Sequence, residues 1–117
     1  MDIKNLTKQE AKEIYLEHYW YRNAVDKVPD ELKHIYFDMC VNQGKSRAVK
    51  ILQRACNGKG AELKVDGGLG PVTLSHLGGV ELKRVRAYRV KYYADLVTRK
   101  PELEKFYYGW FKRALEV

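Results

Sequence analysis

Carboxylates, aromatic rings and a crowd of cations are the side chains of this 117-residue chain that could do chemistry. Cleaving a glycosidic bond needs a carboxylic acid to protonate the leaving oxygen, usually with a second carboxylate or a positioned water. Burial or apolar contact must keep that acid protonated. Asp38 borders the apolar face of an expected helix and is the least solvated carboxylate, so it is the first candidate acid. Asp66 lies in a glycine-rich loop, where Asp also serves ordinary turn chemistry. Glu10 fits better as a helix cap, and Glu13, Glu17, Glu81, Glu102 and Glu104 sit beside lysines or on polar faces. Asp38 is the one catalytic candidate, and no partner for it is evident from spacing.

Other chemistries find less support. A Gly-x-Ser-x-Gly elbow, a P-loop and a His-Glu-x-x-His pair are all missing from the sequence. His18, His34 and His76 fall one to a helix, as surface or packing histidines do, and no metal or other cofactor is expected. Cys40 and Cys56 lie on apolar helix faces and read as buried reduced thiols, with a disulfide left open if their helices pack closely. Tyr19-Trp20-Tyr21 and Tyr107-Tyr108-Gly109-Trp110 put rings on adjacent helix faces, so not all can be buried together. Exposed Tyr and Trp faces stack on sugars and on bases alike, although helical spacing assigns most of them to a core. The cations of residues 83–99 either follow phosphates or form a solvated face over the core.

The elements that must position these residues are helices. Thr7 and Glu10 form a capping box opening a helix to about Trp20, with Ala11, Ile14, Tyr15 and His18 on one face. Pro29 suits the first turn of a second helix, striped by Leu32, Ile35, Tyr36, Met39 and Cys40 and stopped at Gly44, a left-handed cap. Ser46 caps a third, which points Ala48, Val49, Leu52, Ala55 and Cys56 inward. Residues 58–70 have no helical period and predict a long glycine-rich loop, with a minor β-hairpin near residues 63–68 as one option. Pro71 opens a short helix through His76. A long basic helix covers residues 81–99, with Leu82, Val85, Arg89, Tyr92 and Leu96 along one side. Pro101 starts the last helix, with Leu103, Phe106, Tyr107, Trp110, Phe111 and Ala114 on one face. The expectation is an all-α single domain over residues 1–117, of about six helices.

Net charge is +7, which draws polyanions, whether nucleic acid or an anionic bacterial wall. No apolar run reaches the ~20 residues of a membrane span, and residues 1–12 lack the apolar core of a signal peptide. The expectation is a soluble protein made in the cytoplasm, with any export depending on other factors.

Val65-Asp66-Gly67-Gly68-Leu69-Gly70-Pro71-Val72-Thr73-Leu74 resembles the Val-Asp-Gly-x-x-Gly-Pro-x-Thr-Leu motif of peptidoglycan-associated modules. Phe37-Asp38-Met39-Cys40-Val41-Asn42-Gln43-Gly44, the run from Arg47 to Ala55, Arg89-x-x-Tyr92-Tyr93 and Phe106-x-x-Gly109-Trp110-x-x-Arg113 are similar, in order and spacing, to the second half of glycoside hydrolase family 108. Upstream, Leu6-Thr7, Ile14-Tyr15 and Tyr19-Trp20 resemble that family's middle segment, so residues 1–34 match this segment and 35–117 its predicted peptidoglycan-binding region.

The resemblance implies a lysozyme-like fold and a lineage of phage endolysins and related bacterial lysins, muramidases that cut between N-acetylmuramic acid and N-acetylglucosamine. That family's catalytic Glu-Gly-Gly-Tyr motif does not occur in these residues. The leading expectation is therefore the wall-binding portion of a muramidase, truncated or internally initiated, of phage or prophage origin, acting at the wall after release. Its implied contact residues are Tyr19, Trp20, Asp38, Asn42, Gly44, Asp66, Gly70 and Thr73. Asn42 and Gly44 fit a plain helix cap equally well. The expected partners are peptidoglycan and, through uncovered helix surface, a second copy or a full-length form. The alternatives are an active hydrolase using an unfamiliar acid, Asp38 first, and a basic nucleic-acid-binding helical protein, which ranks last.

Overall fold

Helix periodicity in the sequence becomes six α-helices in the computed structural model, which describes residues 7–116. They are α1 (Lys8–Arg22), α2 (Asp30–Gln43), α3 (Lys45–Gly58), α4 (Pro71–Leu77), α5 (Leu82–Arg99) and α6 (Glu104–Glu116), with 3₁₀ turns at Val25–Lys27 and Pro101–Leu103. The described residues contain no strand, so the optional hairpin does not form and residues 59–70 are an irregular loop. Residues 1–6 of the stretch read for a leader, Leu6 of the family-like opening among them, lie outside the described residues.

α3 is the central element. It packs against α2 on one side and α5 on the other, touches α4, and α6 lies on α5. The reason is compositional. Ala48, Val49, Ile51, Leu52, Ala55 and Cys56 cover so much of α3's circumference that no single neighbour can bury them. They meet Leu32, Ile35, Tyr36, Met39 and Cys40 of α2, together with Leu77, Val80 and Val85. Each large aliphatic side chain so buried contributes about 1.5–3 kcal/mol relative to exposure. Cys40 and Cys56 lie in this core as free thiols, both raised above the ordinary thiol range by burial. His18, His34 and His76 are exposed on three different helices.

Helix ends shift by a residue from their expected signals. Thr7 Oγ1 accepts from the Glu10 amide at 3.0 Å, and the Thr7 hydroxyl also donates to Glu10 Oε1 at 3.1 Å. The second half of the expected box, a carboxylate on the Thr7 amide, is thus replaced by a side-chain bond. Pro29 precedes α2 as its N-cap instead of entering the first turn. Gly44, at φ 90°, both ends α2 and begins α3, so Ser46 does not cap α3. A residue with a β-carbon would be strained at that φ, which is why the α2–α3 junction carries glycine.

α1 differs from the rest. None of its residues is buried, and Tyr15, Leu16 and Tyr21 are exposed. Its docking depends on its last turn, where Tyr19 and Trp20 pack against Phe37 of α2. The radius of gyration, 15.9 Å, exceeds the roughly 13 Å of a compact chain this long, in keeping with so peripheral a helix.

Candidate functional site

The residues singled out from sequence fall into three separate groups. In the first, Tyr19 and Trp20 are packing residues. The Tyr19 hydroxyl donates to the Cys40 carbonyl at 2.7 Å, its ring meets Phe37 edge-on, and Trp20 lies 5.0 Å from the same ring. Their order along α1 fits an anchoring turn better than a pair of sugar platforms.

The second group is the end of α2. Asp38 is 12% exposed and sits between two guanidinium groups. Arg89 Nη2, from a fully buried side chain on α5, is 2.7 Å from Asp38 Oδ2, and Arg113 Nη2 of α6 is 2.6 Å from Oδ1. Burial pushes this carboxyl up, but the Arg113 and Arg89 contacts outweigh it and hold the group below the usual carboxylate range. A general acid must keep its proton near neutral pH. Asp38 is therefore an ionised tie joining α2, α5 and α6, and the geometry does not suit it to protonating a leaving group. Asn42 donates to the Asp38 carbonyl at 2.8 Å and, with Gln43, borders a small cavity of about 210 Å³.

The third group is the glycine-rich loop, organised by a residue that the sequence reading left unassigned. Gln53 of α3 is 1% exposed. Its Oε1 accepts from the amides of Asp66 (3.1 Å) and Gly67 (3.0 Å). Its Nε2 donates to Asp66 Oδ1 (3.0 Å), the Gly68 carbonyl (3.2 Å) and Thr73 Oγ1 (3.1 Å). Asp66 in turn accepts from the Gly68 amide at 2.9 Å, and these bonds, that from Gln53 first, hold its carboxyl below the ordinary range. Asn57 ties Leu63 at both amide and carbonyl. Gly67, at φ 80°, passes over Ser46 with no room for a β-carbon. Gly70 caps α4, and Thr73 is buried. Side-chain clamps from α3 do the work that strand pairing would do in a hairpin. Asp66 Oδ1 and the Thr73 hydroxyl are spent on the loop itself.

What faces outward is different. Along α3, Arg47, Lys50 and Arg54 recur at three and four residues, which places them on one face. Tyr88, Tyr92 and Arg99 of α5 lie opposite. Between the helices runs a groove with two connected hollows of about 380 and 280 Å³. Half-buried Tyr88 and Tyr92 line it, Arg47, Lys50, Arg54, Arg99 and Lys100 flank it, and the Lys91–Asp95 ion pair (3.4 Å) sits at one end. The groove shares Arg47, Tyr92 and Leu96 with the cavity beside Gln43. The α3 spacing was a usable signal, but it stays invisible when only aromatics and the α5 charges are weighed. Chemically, such a groove offers planar cation forks to carboxylates or phosphates and ring faces to sugars.

A family model described as a predicted peptidoglycan domain matches residues 47–115, a span holding every groove residue. The chain belongs to this peptidoglycan-domain family. A second model, glycosyl hydrolase 108, matches residues 1–44, so both parts of the family 108 resemblance appear in the expected order. Among solved structures, Brucella abortus SagA is similar at 28% identity and a TM-score of 0.69. The match covers 97% of this chain and 63% of that one, so this chain spans less than two thirds of SagA's length. No curated protein matches the chain. Within the peptidoglycan-domain family, then, this chain carries its glycine motif as a braced loop and its outward chemistry in the α3–α5 groove.

Proposed function

We propose that this chain is the wall-gripping portion of an endolysin-type peptidoglycan hydrolase of phage or prophage origin. On this reading it is made in the bacterial cytoplasm, acts at the wall after release, and holds wall polymer in the α3–α5 groove. One observation carries this reading. The long hollow flanked by Arg47, Lys50, Arg54, Arg99 and Lys100 and lined by Tyr88 and Tyr92 lies wholly inside the peptidoglycan-domain match. Stem-peptide carboxylates and teichoic phosphates suit Arg47, Arg54 and Arg99, and amino-sugar faces suit Tyr88 and Tyr92. Nucleic acid shares part of this chemistry, so the test includes it.

The experiment is co-sedimentation with purified sacculi. The double variant Arg54→Gln/Arg99→Gln should weaken binding by about tenfold with its melting temperature unchanged. Salt-sensitive retention of DNA with no pelleting on sacculi would overturn the reading in favour of a nucleic-acid protein.

The apolar side of α1, with Tyr15 and Leu16 exposed, supports a further part of the proposal, that the chain pairs there with a second copy or a longer form. Sedimentation that stays strictly monomeric up to high concentration would remove it.

A further inference from the structure

The cavity at the end of α2 has a composition that the groove lacks. Asn42 and Gln43 of α2, Arg47 of α3, Tyr92, Tyr93 and Leu96 of α5, and Trp110 and Arg113 of α6 surround its 210 Å³. Gln43 is 8% exposed, yet neither its Oε1 nor its Nε2 has a hydrogen-bond partner. Leaving both ends of a buried amide unpaired destabilises a fold, and native proteins do so rarely. A leucine would fill the same space at no such cost. The amide is also chemically specific, offering one acceptor and one donor group, the complement of a peptide unit's N–H and C=O.

Charge adds a second requirement. Arg89 and Arg113 face the single carboxylate of Asp38, leaving this corner with one positive charge in excess, and exposed Arg47 adds another at the rim. Arg113 uses Nη2 on Asp38 but is 54% exposed, so its remaining N–H groups are open to a ligand. One wall is apolar. Trp110 stacks on Tyr93 with ring centres 5.1 Å apart, and Leu96 lies beside them. The volume is below the ~300 Å³ at which pockets begin to enclose whole small molecules, so the cavity suits the end of a chain more than a sugar pair.

We propose that this cavity receives the free carboxyl end of a short peptide with small side chains. In this arrangement the Gln43 amide, whose Oε1 and Nε2 are closed to solvent in the unliganded chain, turns into the cavity to pair the last peptide unit, Arg113 and Arg47 hold the carboxylate, and the Trp110–Tyr93 wall takes a methyl-sized side chain. The inference rests on the wall-binding reading for its natural source, the peptide stems of peptidoglycan, and places them beside the polymer groove with which the cavity is continuous through Tyr92.

The test uses the full chain, with acetyl-alanyl-alanine in its L and D forms as probe. Its C-terminal amide serves as a control, and sacculus pelleting is measured in parallel. The Gln43 side-chain amide signals should shift on titration with the free acid of at least one form. The C-terminal amide should bind about tenfold more weakly. Gln43→Leu should melt no lower than wild type yet bind the acid about tenfold more weakly. Acid and amide binding alike, or Gln43→Leu binding as well as wild type, would overturn the proposal, and so would dipeptides that do not bind to a protein that still pellets on sacculi. Failure to pellet on sacculi with Gln43-dependent dipeptide binding intact would refute the wall reading alone and support the cavity's chemistry.

Discussion

Asp38 shows how a residue's neighbours decide its role. From sequence it was the least solvated carboxylate, and burial alone would have raised its pKa toward that of a usable acid. Two guanidinium groups reverse that sign. Its folded pKa lies below the ~3.9 of an unfolded aspartate, so its contribution is fully present above that value. The contribution is lost as pH falls through the depressed folded pKa. Asp38→Asn leaves Arg89 buried with its counter-charge gone, which should cost roughly 3 kcal/mol at neutral pH. Denaturation of both proteins across pH should show this gap close below about pH 4 as wild-type Asp38 protonates. A gap that stays constant down to pH 2 or so would mean that the charge is not what Asp38 supplies.

At the scale of elements, the helices were legible because their apolar residues recur at three and four. All five stripe residues of α2 and all five of α3 are buried as that spacing implied. Two things were not legible. The face assigned to α1 through Ala11 and Tyr15 is exposed, because periodicity reveals a face but not whether a neighbour covers it. The glycine motif carries a fixed shape that its own residues do not announce, because Asp66 Oδ1 and Thr73 Oγ1 are held by Gln53, which lies 13 and 20 residues upstream of them on another element. No local pattern reports a contact of that range. Gln53 carries the loop, so Gln53→Ala should orphan the Gly67 amide, leave the Asp66 amide with only the Lys64 carbonyl, and cost about 1–3 kcal/mol. Hydrogen exchange should then show those two amides losing protection while α2 keeps its own. Unchanged exchange at both amides would show the clamp to be dispensable.

The whole molecule brings together two binding features of different range, and salt separates them. The groove's cations and the +7 net charge act over a distance set by ionic strength, since the screening length shrinks from about 14 Å at 0.05 M to about 6 Å at 0.3 M. The cavity acts through contact, with Gln43 and Tyr93 buried, Trp110 half-buried, and the charged Arg113 and Arg47 at the rim exposed to screening. Binding to sacculi should therefore weaken by at least about tenfold across that salt range. The weakening should be shallower in Arg54→Gln/Arg99→Gln, which removes part of the charge the salt acts upon. Binding of the isolated dipeptide should change far less over the same range, because a single carboxylate meets one or two cations where a polymer along the groove meets many. Equal salt slopes for sacculi and dipeptide would mean that the groove adds nothing beyond the cavity. A wild-type sacculus slope matched by the double variant would mean that the polymer lies elsewhere on the surface.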